Sequence, residues 1–184
     1  MAAIFQEKGT EPARLLLDNA ALFTTGEISA PVLDLACGYG GNGLFLASRG
    51  LRVILADQSA SALAQAQESA TKSGVKVDTW EIDLEREGKD PFAGREFGAV
   101  LIFRYLHRPL IPGIKRSLAD GGLIMYETFT VDQPRFGKPT NPDFLLRPGE
   151  LMEWFADFEC IRHFEGIKAD PPRAVAQLIA RKPV

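Results

Sequence analysis

Residues 31–50, PVLDLACGYGGNGLFLASRG, decide the fold of this chain. The apolar run 31–35 predicts a buried strand, and the segment 43–50 predicts a helix that ends at Gly50. Between them, GYGGNG fits the pattern G-x-G-x-x-G of a turn that joins a strand to a helix. Backbone amides at the start of such a helix can face an anionic group. The stretch therefore predicts the first strand, turn and helix of a βαβ unit with a ligand at its glycine turn.

The rest of the chain continues this alternation. Further strands are predicted at 51–56, 75–81, 97–103, 123–129, 158–164 and 174–180. Helices are predicted at 11–23, 59–73, 109–119 and 150–157. The run 97–103, FGAVLIF, is apolar throughout, as in a central parallel strand that is covered on both faces. The last two strands predict a closing hairpin, so we expect an α/β fold with a mostly parallel sheet and helices on both faces.

Length and composition favour one globular domain. The 184 residues carry 46% hydrophobic and 24% charged side chains, and the formal net charge is −3. We expect a single domain over 1–184, with an N-terminal helical segment at 1–29. The segment 130–147 has three prolines and no periodicity, and its length is typical of functional loops, so we expect it to cover an active site.

The same composition sets expectations for location and partners. No apolar run is long enough to cross a bilayer, so we expect a cytoplasmic protein without membrane contact. The two cysteines, Cys37 and Cys160, suggest reduced thiols, because they form neither a disulfide framework nor a metal-ligand cluster. The sequence therefore predicts no metal site, and it leaves monomer and homodimer open.

Three acidic residues stand where predicted strands end. Asp34 lies in the first strand beside the glycine turn, where it can bind the amino group of a zwitterion or accept from the amides of the turn. Asp57 follows the second strand, where a carboxylate can bind both ribose hydroxyls or cap the next helix. Asp83 follows the third strand, where it can accept from an adenine amine or lie in a solvated loop. These acids predict a nucleoside-bearing ligand with a cationic group.

Together these residues resemble a known family. The segments VLDLACGYGGNGLFLASRG, VILADQS, WEIDLE and LADGGLIMYETF, within residues 30–130, are similar to class I S-adenosylmethionine-dependent methyltransferases. The glycine turn resembles that of tellurite-resistance-type small-molecule methyltransferases. The class I superfamily usually has Gly at the position of Ala36. The resemblance implies a Rossmann-like methyltransferase fold, with seven strands in the order 3-2-1-4-5-7-6 and the seventh strand antiparallel.

The resemblance also implies S-adenosylmethionine as the cofactor. It assigns the methionine part to Asp34, Gly38 and Gly40, ribose to Asp57, and adenine to Asp83 and Leu84. The full set of expected cofactor-binding residues is Asp34, Ala36, Gly38, Tyr39, Gly40, Asn42, Asp57, Gln58, Asp83, Leu84, Phe103 and Arg104.

The acceptor side is expected after the fourth and fifth strands. His107 is a candidate general base, and its alternative role is a helix cap or a surface residue. Glu127 can bind a substrate cation or accept a proton, and it can equally pair with Arg104 or another arginine. Tyr105 can line an acceptor pocket or simply pack. FRYLHRP replaces the N-P-P-Y-like tetrad of amino-group methyltransferases, which disfavours N-methylation through that tetrad.

Four functions follow from these features. The first is a methyltransferase that transfers a methyl group to a small molecule by in-line displacement. The second is a non-catalytic S-adenosylmethionine-binding protein. The third is an RNA or protein methyltransferase, favoured only by the basic residues between 104 and 116 and in 135–147, so nucleic acid is not the expected partner. The fourth is a nicotinamide-dependent oxidoreductase, since G-x-G-x-x-G also fits that class.

Overall fold

In the described part of the chain, all seven strands belong to one sheet. A computed structural model describes residues 11–24, 26–86, 88 and 90–184 of the chain. The strands are β1 Val32–Leu35, β2 Val53–Asp57, β3 Asp78–Glu81, β4 Phe97–Phe103, β5 Leu118–Phe129, β6 Glu159–Ala169 and β7 Pro172–Arg181. Their order is β3-β2-β1-β4-β5-β7-β6. Strands β1 to β5 pair in parallel, whereas β7 is antiparallel to both β5 and β6. The predicted fold class and strand order are confirmed.

Helices cover both faces of this sheet. The helices are α1 Arg14–Asp18, α2 Gly41–Ala47, α3 Ala60–Lys72, α4 Ile111–Ser117 and α5 Glu150–Trp154. One apolar core joins α1, α2 and α3 to the sheet, with Leu16 and Leu46 fully buried in it. The other core packs α4 and α5 against the opposite face through Ile114 and Leu151. Strand β4 lies in the middle of the sheet and is buried along its whole length, as its apolar sequence predicts.

The glycine turn lets α2 approach β2 closely. Gly40 has a left-handed φ of 76°, and a Cβ there would lie 2.9 Å from Leu55. A Cβ at Gly43 would lie 2.3 Å from Leu55 and 3.0 Å from both Val53 and the Asp34 carboxylate. Such distances are shorter than real side chains adopt, so the two glycines make room for the contact between helix and strand. This contact positions the start of α2 beside the carboxyl end of β1.

Several element boundaries differ from the predicted ones. The helix predicted over 11–23 is interrupted, because Asn19 leaves the helical conformation and its side-chain amide donates to the Leu15 carbonyl at 2.8 Å. A short 3₁₀ helix at Ala20–Leu22 follows. The expected N-terminal helical segment 1–29 includes residues 1–10 and 25, which lie outside the described residues. The third strand begins at Asp78 instead of 75, because only the residues from Asp78 pair with β2.

The closing hairpin is longer than predicted. Gly166 lies inside β6, opposite Val175, so it does not separate the two strands as its identity suggests. The reversal comes instead at Asp170–Pro171, between the ends of β6 and β7. Strand β5 begins earlier than predicted, at Leu118. Its register with β4 shifts before Leu123, around Gly121, whose φ is 74°. The turn predicted at 120–122 is thus an irregularity within the strand.

No helix within the described part of the chain is long and apolar enough to span a membrane.

The close contact at Gly43 predicts a specific loss of stability. Gly43→Ala adds a methyl group into the contact with Leu55 and Val53, and we expect a net destabilisation of about 1–3 kcal/mol in urea unfolding. This loss should exceed the gain of about 1 kcal/mol that Ala brings to a helix over Gly. Gly26→Ala is the matched control, because a Cβ there meets nothing within 4 Å. Equal stabilities of the two variants would contradict the packing argument.

Candidate active site

The carboxyl ends of β1, β2 and β3 meet at one edge of the sheet. Asp34 pairs in register with Leu55 of β2, and Asp57 pairs with Glu81 of β3. A cavity of about 80 Å³ lies at this edge. It is lined by Ala36, Asp57, Gln58, Ile82, Asp83, Leu84, Glu85 and Tyr105. The structure therefore brings five of the expected cofactor-binding residues and Tyr105 around one cavity, together with Ile82 and Glu85, which the sequence did not single out.

Asp34 is a buried carboxylate beside the glycine turn. Its side chain is 1% exposed, and its Oδ2 accepts from the backbone N–H of Gly43 at 2.8 Å. Burial raises the pKa of Asp34 to about 7, the Gly43 N–H opposes this shift, and the nearby carboxylate of Asp57 adds to it. No ion pair of Asp34 exists within the described ranges. The negative form of Asp34 is thus costly until a cation approaches.

Asp57 organises the turn on the other side of the cavity. Its Oδ2 accepts from the N–H of Gly38 at 2.8 Å, and its Oδ1 accepts from the N–H of Ser59 at 2.9 Å. Ser59, rather than Asp57, caps α3 by accepting from Ala62 at 3.2 Å. Each carboxylate oxygen can accept more than one hydrogen bond, so Asp57 keeps capacity for two hydroxyl donors.

Tyr105 lines the same cavity as Asp57 and Asp83. Its hydroxyl oxygen is buried and has no hydrogen-bond partner among the described residues. Burial raises the pKa of the Tyr105 phenol, and the carboxylates of Glu85 and Asp83 add to the shift. The hydroxyl therefore keeps its proton at neutral pH and is a hydrogen-bond donor without an acceptor among the described residues. This chemistry suits contact with a ligand better than general-base catalysis.

Two non-glycine residues adopt left-handed backbone at the ends of central strands. Ala36 follows β1 with φ 53°, and Arg104 follows β4 with φ 57°. Such conformations cost about 1–2 kcal/mol for residues with a side chain and cluster at functional sites. The Arg104 N–H donates to the carbonyl of Glu127 at 2.8 Å, which ties the turn after β4 to β5. Both strained positions border the same edge of the sheet.

The remaining expected cofactor residues lie on the glycine turn and β4. Gly38 and Gly40 have left-handed φ values of 54° and 76°, and Tyr39 between them is exposed. Asn42 accepts from the backbone N–H of Ala13 at 2.8 Å, so its amide oxygen anchors the N-terminal segment. Phe103 is 8% exposed at the end of β4. Cofactor contacts of these residues stay predictions.

The three candidate catalytic residues do not share one pocket. His107 lines a neighbouring cavity of about 430 Å³ together with Arg86, Asp90 and Arg116. Its carbonyl, not its imidazole, accepts at the start of the 3₁₀ helix Arg108–Leu110. Glu127 lies at the end of β5 and is hydrogen-bonded by the amide of Gln177 on β7. The ion pair of Glu127 with Arg104 that the sequence left open does not form within the described part of the chain. The catalytic roles stay predictions.

The basic region that the sequence indicated is largely neutralised by ion pairs. Arg108 pairs with Glu150, Lys115 with Asp157, and Arg116 with Asp90. In the later part, Arg147 also pairs with Glu150, and Arg135 lies 3.8 Å from Asp132. Paired cations attract phosphate groups less than free ones do, so this surface offers little support for RNA binding.

Arg108 and Glu150 anchor the segment 130–147. Glu150 is 2% exposed and accepts from Arg108 at 2.7 and 2.9 Å, while Arg108 also donates to the carbonyls of Asp143 and Leu145. Burial opposes ionisation of Glu150, but hydrogen bonds from Arg108 and Arg147 outweigh it and hold the pKa at about 2. The segment closes on itself where Thr130 pairs with Leu146. It is therefore an anchored loop that begins at the carboxyl end of β5.

Comparison with known proteins agrees with this geometry. A family model described as a methyltransferase domain matches residues 32–122, which hold β1, the glycine turn and the strand-end acids. These matches support membership in the class I S-adenosylmethionine-dependent methyltransferases. The cofactor of this family is S-adenosylmethionine. The nicotinamide-dependent oxidoreductase that the sequence also allowed is thereby set aside.

The individual relatives of this chain are distant. It is 27% identical over 146 residues to the probable S-adenosyl-L-methionine-dependent methyltransferase TehB of Haemophilus influenzae, a match that covers 74% of this chain and 48% of TehB. The chain thus spans about half the length of the curated relatives it matches. The crystal structure of TehB from Haemophilus influenzae superposes with TM-score 0.72 at 23% identity, covering 92% of this chain and 62% of TehB. The [4+2]-cyclase SpnF superposes with TM-score 0.70 at 19% identity, covering 98% and 86%. These superpositions show a shared fold.

The residues present fit the cofactor of the family. Tyr105, whose hydroxyl is buried and unpartnered, lines a cavity together with Asp57 and Asp83, and Asp34 is a buried acid without an ion-pair partner in the described structure. A ligand with hydroxyl, amine and ammonium groups would meet each of these demands. Among the described residues, no cluster of three or more His, Cys, Asp or Glu could hold a metal ion. Cys37 and Cys160 are free thiols.

The raised pKa of Asp34 predicts a pH-dependent stability. Between pH 4 and pH 7 the folded protein holds a proton on Asp34 that the unfolded chain releases, so this group's contribution to stability falls as pH rises through that window. Asp34→Asn removes the titration and keeps an acceptor for Gly43. We expect its stability relative to the wild type to rise by about 2–4 kcal/mol from pH 4 to pH 8 in urea unfolding. Asp120→Asn, an exposed acid, is the control, and a pH-independent difference for Asp34→Asn would contradict the assignment.

Proposed function

We propose that this protein transfers the methyl group of S-adenosylmethionine to a small-molecule acceptor. The observation that supports the proposal most directly is that Asp34, Asp57 and Asp83 lie at one edge of the sheet, where Asp57, Asp83 and Tyr105 line a single cavity. Open α/β sheets bind ligands outside the carboxyl ends of their strands, which is where these side chains lie. The similarity to the methyltransferase family supports this edge as the cofactor site.

Each strand-end residue has a role that its contacts permit. The carboxylate of Asp34 receives the ammonium group of the methionine part, which compensates the buried negative charge. Asp57 accepts from the two ribose hydroxyls while its oxygens also hold the N–H groups of Gly38 and Ser59. Asp83 accepts from the adenine amine, and Leu84 packs against the ring. The protonated Tyr105 hydroxyl donates to the bound nucleoside.

The acceptor side makes modest chemical demands. When bound, the sulfonium supplies an electrophilic methyl group, and its displacement requires the nucleophile to be held in line and water to be excluded. Glu127, at the end of β5, binds or deprotonates the acceptor in this scheme. His107 remains a candidate base from the neighbouring cavity, across Leu84 and Glu85, which line both cavities.

The segment 130–147 covers the acceptor in this proposal. It starts directly after β5, and its base is closed by hydrogen bonds between Val131 and Leu146 and between Leu146 and Phe129. The guanidinium of Arg108 clamps its later part to Glu150. A compact loop with a fixed base suits a small acceptor better than a polymer, and the ion-paired basic residues point the same way.

The ribose role of Asp57 predicts a loss of cofactor affinity. Asp57→Asn keeps the side-chain shape and one acceptor oxygen but removes the charge, so the hydroxyl hydrogen bonds weaken. We expect S-adenosylhomocysteine affinity, measured by calorimetry, to fall at least tenfold, which is about 1.4 kcal/mol. Asp78→Asn, at the exposed start of β3, should bind as the wild type does. Unchanged affinity in Asp57→Asn would remove Asp57 from the ribose site.

The acceptor class is tested with a labelled methyl group. We expect fractionated cell extract incubated with the protein and methyl-labelled S-adenosylmethionine to carry label in the low-mass fraction. Label in RNA or protein would instead support a macromolecular acceptor. If RNA is labelled, its affinity for the protein should also fall steeply with salt. Cofactor binding without transfer to any fraction would overturn catalysis and favour a binding protein.

A further inference from the structure

A buried polar pair lies on β5 and β7, outside the cavity lined by Asp57 and Tyr105. Glu127 is 9% exposed and Gln177 is 1% exposed, and the two residues are register partners in the antiparallel pairing of their strands. The side-chain amide of Gln177 donates to Oε2 of Glu127. Gln177 is the single polar residue in the buried run Ala174–Ala180 of β7. Sequence reasoning overlooked it, although a lone glutamine in an apolar strand is a visible signal.

The pair has more acceptors than donors. The Oε1 of Gln177 is buried and has no hydrogen-bond partner among the described residues. In the described part of the chain, no lysine, arginine or histidine lies within ion-pair distance of Glu127, unlike the other buried glutamate, Glu150, which has two arginines. A buried carboxylate and an orphaned amide oxygen both cost free energy when they lack donors. Together they call for a group with a positive charge and at least two N–H donors.

The pair shares a sheet face and a sheet edge with Asp34. Asp34 is in register with Leu101 of β4, and Leu101 is in register with Met125 of β5. Glu127 lies two residues beyond Met125 toward the carboxyl edge, so it is on the same face as Asp34, the face that α2 covers. With strands about 4.8 Å apart and about 3.3 Å per residue, the two positions are roughly 12 Å apart. The distance between the proposed methionine site at Asp34 and this pair is comparable to the length of a small molecule.

Aromatic residues occupy the neighbouring register positions on this face. Phe103 is directly opposite Glu127 on β4, and Phe129 is two residues further along β5. Phe164 of β6 is directly opposite Gln177. Aromatic rings beside a carboxylate favour a cationic ligand, because the ring faces attract positive charge. Lys168 Nζ already lies 5.3 Å from the centre of the Phe164 ring. Phe103 and Phe129 are therefore the rings that favour an organic cation over a neutral polar group here.

We infer that Glu127 and Gln177 bind a protonated nitrogen group of the methyl acceptor, such as an amidinium, a guanidinium or an ammonium. This inference rests on the proposed function, since it places the group on the acceptor of the same reaction. The Glu127 carboxylate supplies the charge and one acceptor, and Oε1 of Gln177 accepts a second N–H. In this arrangement Glu127 recognises the acceptor, and Gln177 is a specificity residue.

The experiment compares three probes of nearly equal shape: benzamidine, which is cationic, benzamide, which is neutral, and benzoate, which is anionic. Their affinities for the protein saturated with S-adenosylhomocysteine are measured by ligand-observed NMR titration. We expect benzamidine to bind at least tenfold more tightly than benzamide, and benzoate to bind most weakly. Glu127→Gln should remove the tenfold preference for the cation, and Gln177→Leu should reduce it. Glu159→Gln, an exposed acid on β6, should keep it.

Folding and cofactor binding are checked separately from the probe. Thermal unfolding establishes that each variant is folded, and if either variant of the pair fails to fold, the preference of the wild type for benzamidine decides the inference. Equal binding of benzamidine and benzamide by the wild type would overturn it, as would an undiminished preference in folded Glu127→Gln. If S-adenosylhomocysteine itself does not bind, the proposed function fails. The probe titration on the protein alone then decides only whether Glu127 and Gln177 bind a cation.

Discussion

The hydrogen bond from the Gly43 N–H to the Asp34 carboxylate holds the first turn of α2 against the carboxyl end of β1. It can form because Gly43 has no side chain to hold the helix away from Val53 and Leu55. The same contact buries Asp34 completely and places the amides of the glycine turn over the strand ends. Strands β2 and β4 flank β1 on its two sides, so this junction fixes the positions of the other groups in the site.

Burial without charge compensation is the common feature of the site. Asp34 is buried with one backbone donor, and Glu127 is buried with one amide donor, whereas Tyr105 and Gln177 each keep an unpartnered polar atom within the described structure. Such groups destabilise the folded protein and are retained where a ligand supplies what is missing. The two acids lack a positively charged partner, and the phenol lacks a hydrogen-bond acceptor. These needs match the proposed zwitterionic nucleoside bound next to a cationic methyl acceptor.

The opposite design holds the later part of the chain in place. Glu150 is as buried as Asp34, yet two arginines and a backbone N–H satisfy it, and its pKa is low where that of Asp34 is high. Arg108 reaches from the turn after β4 to the backbone of 143–145, so the segment 130–147 is fixed at both ends. Glu150 serves structure, whereas Asp34 is proposed to bind a ligand, and the arginines beside Glu150 account for much of the difference between the two pKa values.

The sequence by itself determined the sheet, the glycine turn and the three strand-end acids. Apolar runs, glycines and capping residues act through local backbone conformation, and the spacing of apolar residues distinguishes strands from helices. It identified β4 over its full length and α3 to within one residue at each end. The tertiary structure decided the rest. It paired Glu127 with Gln177 instead of an arginine, gave Arg108 to Glu150, and placed His107 in a cavity apart from Tyr105. These partners are about 40 to 50 positions apart in the chain, and only the register of neighbouring strands and the packing of α5 bring them together.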